Sequence, residues 1–352
     1  MGGSSEALLY HMNGLEQMVN MRGGVAALGN NEPVKRVVTW ADLSNAAMHD
    51  TRPRFPLAFC PIGEDIAQRF VPPLPGPASP PLYPDFQPAP VPDDMAEVFH
   101  DIRLLCIALE NPNLINMRNI INRRTHSNKL YHIEWCLLSA APSSPARTPT
   151  SIIPQRPGTD DYEGYANPPT AANCAGSPVS NACRHAALMF TYLALRNLPV
   201  SAAVFDNLVL RLRNALLPLL DYEQQTYNLG SNPISRAGSP SGLTPQPQVG
   251  YHEDPYGYFG TPQPRLSPSP FEVSSDLLLW LLITGFAACP PTRAENRGWF
   301  LSHIMHVCSD MGIVGAEELS AGLKKVLWLD STCIAVVDDL ARELRELGSV
   351  GW

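Results

Sequence analysis

Apolar residues recur at three- and four-residue intervals along most of the chain, and the alternation that marks half-buried strands is nearly absent. Leu8, Met12, Leu15 and Val19 share one helical face, and Gly23-Gly24 predicts where that helix stops, because glycine enters the left-handed conformation that closes a helix. Pro33 stands where a first helical residue belongs, ahead of Val34, Val37, Val38 and Ala41. Asp93-Asp94 predicts a capped helix with Met95, Val98, Ile102, Leu105 and Leu109 on one side. Asn111-Pro112 predicts the opening of another, carrying Leu114, Met117 and Ile121. A break near Ser127-Asn128 is expected before Leu130, Ile133 and Leu137.

Residues 180–198 and 202–221, rich in Ala and Leu, predict two more helices, and 273–289 predicts the most apolar one. Thr292 and Glu295 have capping-box spacing; behind them Phe300, Ile304, Val307 and Met311 share a face and Gly312 ends the run. Residues 316–329 and 331–347 complete the set. The pattern predicts an all-α protein, an irregular bundle of about nine to eleven helices. No fixed period repeats, which excludes a regular solenoid. Trp40, Trp280, Trp299 and Trp328 are expected in the core.

Proline interrupts this pattern. Of 36 prolines, 10 lie in 72–92, 8 in 142–178 and 9 in 233–270. Each removes a backbone donor and biases its predecessor away from helix, so these three stretches read as loops or disordered insertions within a single regulatory domain spanning 1–352. All nine Ser-Pro or Thr-Pro pairs fall there, at Ser79, Ser144, Thr148, Ser177, Ser239, Thr244, Thr261, Ser267 and Ser269, which makes them candidate sites for proline-directed phosphorylation. PxxP units such as Pro72 to Pro75 read as plain linker before SH3 or WW ligands.

Charge and composition exclude several classes. With 33 acidic and 25 basic residues the chain lacks the basic surplus of an electrostatic nucleic-acid binder. Its 45% hydrophobic share excludes a wholly disordered chain. Its longest apolar run, Leu277 to Cys289, is short of the roughly 20 residues a membrane span needs. Neither a signal peptide nor a myristoylation pattern is present at the start, since Glu6 occupies the position that needs Ser or Thr. The eight cysteines (Cys60, Cys106, Cys136, Cys174, Cys183, Cys289, Cys308 and Cys333) contain no Cys-x-x-Cys pair, and read as reduced core residues of an intracellular protein.

Reactive motifs are sparse. No phosphate-cradling glycine loop and no Gly-x-Ser-x-Gly elbow occurs. His303 and His306 lie near one another on a helix but have no carboxylate beside them, and read as one packed and one exposed histidine. Asp338-Asp339 lacks the third carboxylate of a magnesium-binding cluster, and Asp160-Asp161 lies in a proline-rich stretch. Arg118, Arg123, Arg124, His126 and Lys129 form the one basic concentration, read as a solvated helix face. No catalytic, cofactor-binding, metal or DNA-binding residue is assigned.

Two groups of residues carry a resemblance. The first is His11-Met12-Asn13-Gly14-Leu15-Glu16, then Arg22-Gly23-Gly24, Trp40-Ala41-Asp42-Leu43 and Pro53-Arg54-Phe55-Pro56. The second is Leu278-Leu279-Trp280-Leu281-Leu282 with Gly285, then Arg297-Gly298-Trp299-Phe300 and Val326-Leu327-Trp328-Leu329-Asp330. In this order they resemble the fungal-specific transcription factor domain, the helical regulatory region that follows a six-cysteine binuclear zinc cluster in many fungal regulators. The chain departs from that pattern: it lacks the closely spaced cysteines through which two metals share thiolates, and the basic recognition helix with them. It reads as a short form of the family or as a piece of a longer regulator.

The resemblance implies a non-enzymatic, nuclear effector module without its own DNA-binding domain. Its expected partners are proteins of the transcription machinery, or a homo- or heterodimer partner, with no direct nucleic acid binding and no membrane. The C-terminal part, from Glu272 to Trp352, holds 11 acidic and 6 basic residues, a net of −5, which suits protein partners better than DNA. A second reading is a helical small-molecule-binding protein or enzyme with an apolar pocket between helices. A third is a truncated remnant, which predicts poor solubility.

Overall fold

Helices form wherever the three-four spacing runs uninterrupted. The computed structural model describes residues 5–29, 31–58, 90–110, 120–140, 177–230 and 273–347, and among them are ten α-helices and no strand. They are α1 (Ser5–Met21), α2 (Glu32–His49), α3 (Asp93–Glu110), α4 (Ile120–Ser139), α5 (Pro178–Phe190), α6 (Ala203–Gly230), α7 (Ser275–Ala288), α8 (Ala294–Met311), α9 (Ala316–Lys324) and α10 (Asp330–Glu346). A short 3₁₀ turn (Ala26–Leu28) follows α1, and a π-helical turn (Thr191–Leu195) continues α5. The fold is all-α.

Two helices are buried on nearly every side. In α5 every residue from Val179 to Phe190 except Asn181 is buried, and in α7 so are Leu277 to Phe286 and Ala288. These two pack together at the centre, with α6 laid along α5 and α8 along α7. Helix α2 bridges α4 and α6, α3 leans on α4 and α5, and α9 and α10 cover α7 and the π turn. One apolar core runs from α2 through α10. A separate small cluster (Val19, Val25, Val38 and Phe55) joins α1, α2 and the loop after α2.

The α7–α8 pair depends on one missing side chain. A Cβ at Gly285 would stand 2.3 Å from Cε1 of Phe300, which is fully buried and cannot swing away. Gly285→Ala is therefore expected to lower the unfolding free energy by about 1–3 kcal/mol, although alanine favours a helix by nearly 1 kcal/mol. Urea unfolding checks it. Pairing the change with Phe300→Leu should recover part of the loss; an unaltered midpoint in the single variant would mean the helices sit further apart.

Several expectations hold, and several need correction. Gly23 and Gly24 stop α1 with φ of 89° and 88°, and the Gly24 N–H donates to the Val19 carbonyl at 2.9 Å. Gly312 closes α8 with φ 67°. Asn31 caps α2, with Pro33 inside its first turn. The predicted break at Ser127-Asn128 does not exist: α4 is continuous, and both side chains accept hydrogen bonds from Arg36. The Thr292–Glu295 capping box does not form; Arg293 is the N-cap residue, without a side-chain cap, and Glu295 instead pairs with Arg213. Helix α6 runs on to Gly230, past Pro218, which faces solvent. The helix expected over 316–329 ends at Lys324, because tertiary partners take up the carbonyls that follow: Arg103 donates to Val326 and Trp280 to Leu327.

Of the four tryptophans expected in the core only Trp280 is fully buried. Trp299 and Trp328 are half-buried and Trp40 is 56% exposed. The helix predicted from Asn111-Pro112 has its first part outside the described residues. So do the proline-rich stretches, apart from 90–92 and 177–178. Ser177 and Pro178 are not loop: Ser177 accepts the Ser180 N–H at 3.1 Å and caps α5.

Candidate functional site

The residues singled out along the sequence meet as two structural joints. At the first, buried Asp42 on α2 accepts the backbone N–H groups of Arg54 (3.0 Å) and Phe55 (2.9 Å). The Arg54 side chain reaches Asn13 (2.8 Å) and Glu16 (2.7 Å) on α1, so the loop after α2 is stapled to both helices. At the second, the Trp280 indole N–H donates to the Leu327 carbonyl at 3.0 Å. Arg297, 6% exposed, donates to the carbonyl of Cys289 (2.7 Å), to Glu343 (2.7 Å) and to Asp339, and its guanidinium lies 3.9 Å above the Phe286 ring. A buried arginine is held only by such complete pairing.

Sequence reading missed two further buried charge clusters. Nothing in the periodicity marks Arg184 and His185, which lie inside the apolar face of α5. Asp50, just past α2, takes the Nη1 hydrogen bond of Arg184 at 2.8 Å. Arg211 on α6 donates to the Ala47 and Met48 carbonyls at 2.6 and 2.7 Å, and Asn207 joins it at Met48, so the open C-terminus of α2 is satisfied by side chains of α6. Burial works against it, yet the charged Arg184 beside it holds the Asp50 carboxyl well below the usual carboxylate range. The second cluster lies between α4 and the π turn. There Arg196 donates to Glu134, which is 2% exposed, and its guanidinium lies 4.9 Å over the Tyr131 ring. An arginine directly after the apolar run of α5 was the only available signal, and the sequence reveals neither its pairing nor the π winding.

His126, 7% exposed, sits beside this second cluster. Burial pushes its imidazole down to about 4, and the nearby Arg196 charge adds to the shift. The folded state thus binds the proton less readily than the unfolded one. The stability contributed by neutral His126 is present above about pH 6.5 and is lost as pH falls toward 4. At about pH 5 the loss is about 2 kcal/mol. Urea unfolding at both pH values should show His126→Asn losing that much less than the parent protein; equal losses would place the ring in water.

The remaining candidates scatter. Arg123 and Arg124 are exposed, Arg124 beside Glu32, but Lys129 pairs with Asp101 at 2.6 Å and His126 is inside, so only part of the basic concentration is a solvated face; Arg118 lies outside the described residues. His303 stacks on Trp299, 4.2 Å between ring centres, while His306 faces solvent near Asp310. Asp339 belongs to the Arg297 joint. Asp160-Asp161 and all Ser-Pro or Thr-Pro pairs but Ser177 fall outside the described residues. Among the described residues no three His, Cys, Asp or Glu side chains converge as metal ligands would. Six cysteines there are free thiols, and burial pushes Cys289 and Cys308 up to about 12, leaving them poor nucleophiles. No described helix is long and apolar enough to cross a membrane.

An apolar crevice of about 40 Å³ opens between α5, α7 and α10, lined by Phe190, Leu193, Trp280, Thr284, Cys333 and Val336. Ligand pockets run to several hundred Å³. Its Thr284 hydroxyl is already committed to the Trp280 carbonyl. On the surface, Val37 and Trp40 stand out from α2 at 64% and 56% exposure.

The fold and these joints define an all-α protein whose described buried charges link one helix to another. The chain matches no known family model, no curated protein and no solved structure.

Proposed function

We propose that this chain is the effector module of a transcription regulator of the fungal type, working in the nucleus through contact with protein partners and reading no DNA by itself. The observation that supports this reading is the meeting of its widely spaced motif residues. Arg54 finds Glu16 and its loop finds Asp42, while Trp280 finds Leu327 across 47 positions of sequence. Residues that carry one resemblance thus act as two joints of one scaffold. The exposed Val37 and Trp40 add an apolar surface that a protein partner can cover.

The test is a fusion of the full chain to an unrelated sequence-specific DNA-binding domain in fungal cells. Reporter output is expected to move clearly up or down relative to the DNA-binding domain alone. An unchanged reporter, with the fusion present and folded, would overturn the proposal. In gel shifts the isolated chain is expected to show no salt-resistant, sequence-dependent retardation. The crevice between α5 and α10 gives the small-molecule reading no comparable support, since it admits only a few atoms.

A further inference from the structure

The end of α2 is held by one carboxylate that two neighbouring nitrogen groups approach. Asp50 has φ 54° and ψ 47°, a left-handed conformation that costs a non-glycine residue about 1–2 kcal/mol. Arg184 holds it there, with Nη1 2.8 Å from Oδ1. The other terminal nitrogen of the same guanidinium lies 2.9 Å from Nε2 of His185. A guanidinium can only donate. Nε2 is therefore the acceptor, and the contact assigns a neutral ring with its proton on Nδ1. Nδ1 of His185 and Nε of Arg184 have no hydrogen-bond partner among the described residues. His185 Nε2 is also 3.6 Å from the oxygen that Arg184 holds.

A proton on Nε2 reverses this arrangement. It sets N–H against N–H across 2.9 Å and brings a second cation to the same carboxylate oxygen. Arg211 is the third positive group at the joint. Several charges on neighbouring elements have partners of their own: His49 the Asn45 carbonyl, Asp94 on α3 Ser180, Glu134 on α4 Arg196, Asp206 on α6 Arg293, and Asp276 on α7 Lys325, while Arg52 follows Asp50 in the loop. Three cations then share one carboxylate that is itself only 25% exposed, and two of them, Arg184 and His185, are almost fully buried, an excess of charge that the joint cannot hold without opening to water.

We infer that His185 is an acid-triggered latch: protonation at Nε2 displaces Arg184 from Asp50 and opens the joint between the end of α2, the loop 51–58 and helices α5 and α6. Burial holds the ring below its ordinary value, so the latch stays closed at neutral pH. The loop it controls is the one that carries Arg54 and Phe55 to α1 and Asp42.

Hydrogen exchange, corrected for intrinsic rates, compares the full chain at about pH 7 and about pH 5. Amides of 46–58 are expected to lose protection on acidification by about 10-fold or more beyond the loss that α7 shares through the global effect of His126. His185→Gln can still accept from Arg184 but cannot be protonated, and its 46–58 amides should lose no more than those of α7. The same excess in His185→Gln, or a loss at 46–58 in the parent no greater than that of α7, would each overturn the latch. Asp50→Asn gives a separate reading should the first variant fail to fold. Its 46–58 amides should exchange rapidly already at about pH 7 and respond little to acid, whereas parental protection there would also overturn the inference.

Discussion

Replacing Trp280 by alanine is expected to lower the unfolding free energy by about 3–5 kcal/mol, the largest effect of any single side chain here. The ring is 2% exposed at the centre of α7, packed edge-on against Phe99 at 5.5 Å and tilted against Phe190 at 5.9 Å. Truncation removes that area and leaves a cavity beside the existing crevice. It also strands the Leu327 carbonyl, which receives the indole N–H and lies where α9 has given way to an extended stretch. An unpaired buried carbonyl adds about 1–3 kcal/mol. Trp280→Phe keeps most of the packing and loses only the donor, so it should fall between the two. Denaturant unfolding followed by far-ultraviolet circular dichroism separates the three proteins. A shift under about 1 kcal/mol for the alanine variant would remove Trp280 from the core.

Arg297→Ala is expected to cost about 3 kcal/mol. The guanidinium ties three helices. It closes the C-terminus of α7 at the Cys289 carbonyl, lies over Phe286, starts from the first turn of α8, and meets Asp339 and Glu343 on α10. Those two carboxylates keep 35% and 23% of their side chains in water and can rehydrate, which holds the penalty below that of a sealed pair. Arg297→Lys keeps the charge but cannot serve carbonyl and carboxylates together, and should recover less than half of the loss. Melting of the parent and both variants at low and high salt checks it. If lysine restores full stability, the joint is a point charge and the forked geometry is immaterial. In the reporter fusion, Arg297→Ala should weaken output in step with its loss of folded protein.

The two predictions rest on residues that the sequence marked for different reasons. Trp280 was expected in the core because it stands in an uninterrupted apolar run, and any helix carrying that run must be surrounded. Trp40 was expected there too, yet it faces water. Val38 and Leu43 turn α2 inward by a different side, and one tryptophan in an amphipathic helix does not set the phase. Arg297 stood in the motif as Arg-Gly-Trp-Phe, with no sign that α10 would supply its carboxylates. The break expected at Ser127-Asn128 shows the same limit. Both residues disfavour helix interiors in isolation, but here their side chains accept from Arg36, and that contact fixes them on the helix surface.

Local spacing decided that this chain is helical, where glycine ends α1 and α8, and that the helix over 273–289 is the most apolar, because those properties depend on neighbours within one or two turns. It could not decide where a charge finds its opposite. Asp50 with Arg184, Glu134 with Arg196 and Arg297 with Asp339 come together only when helices far apart in sequence are packed, since a buried ion is stable only where the fold delivers its partner.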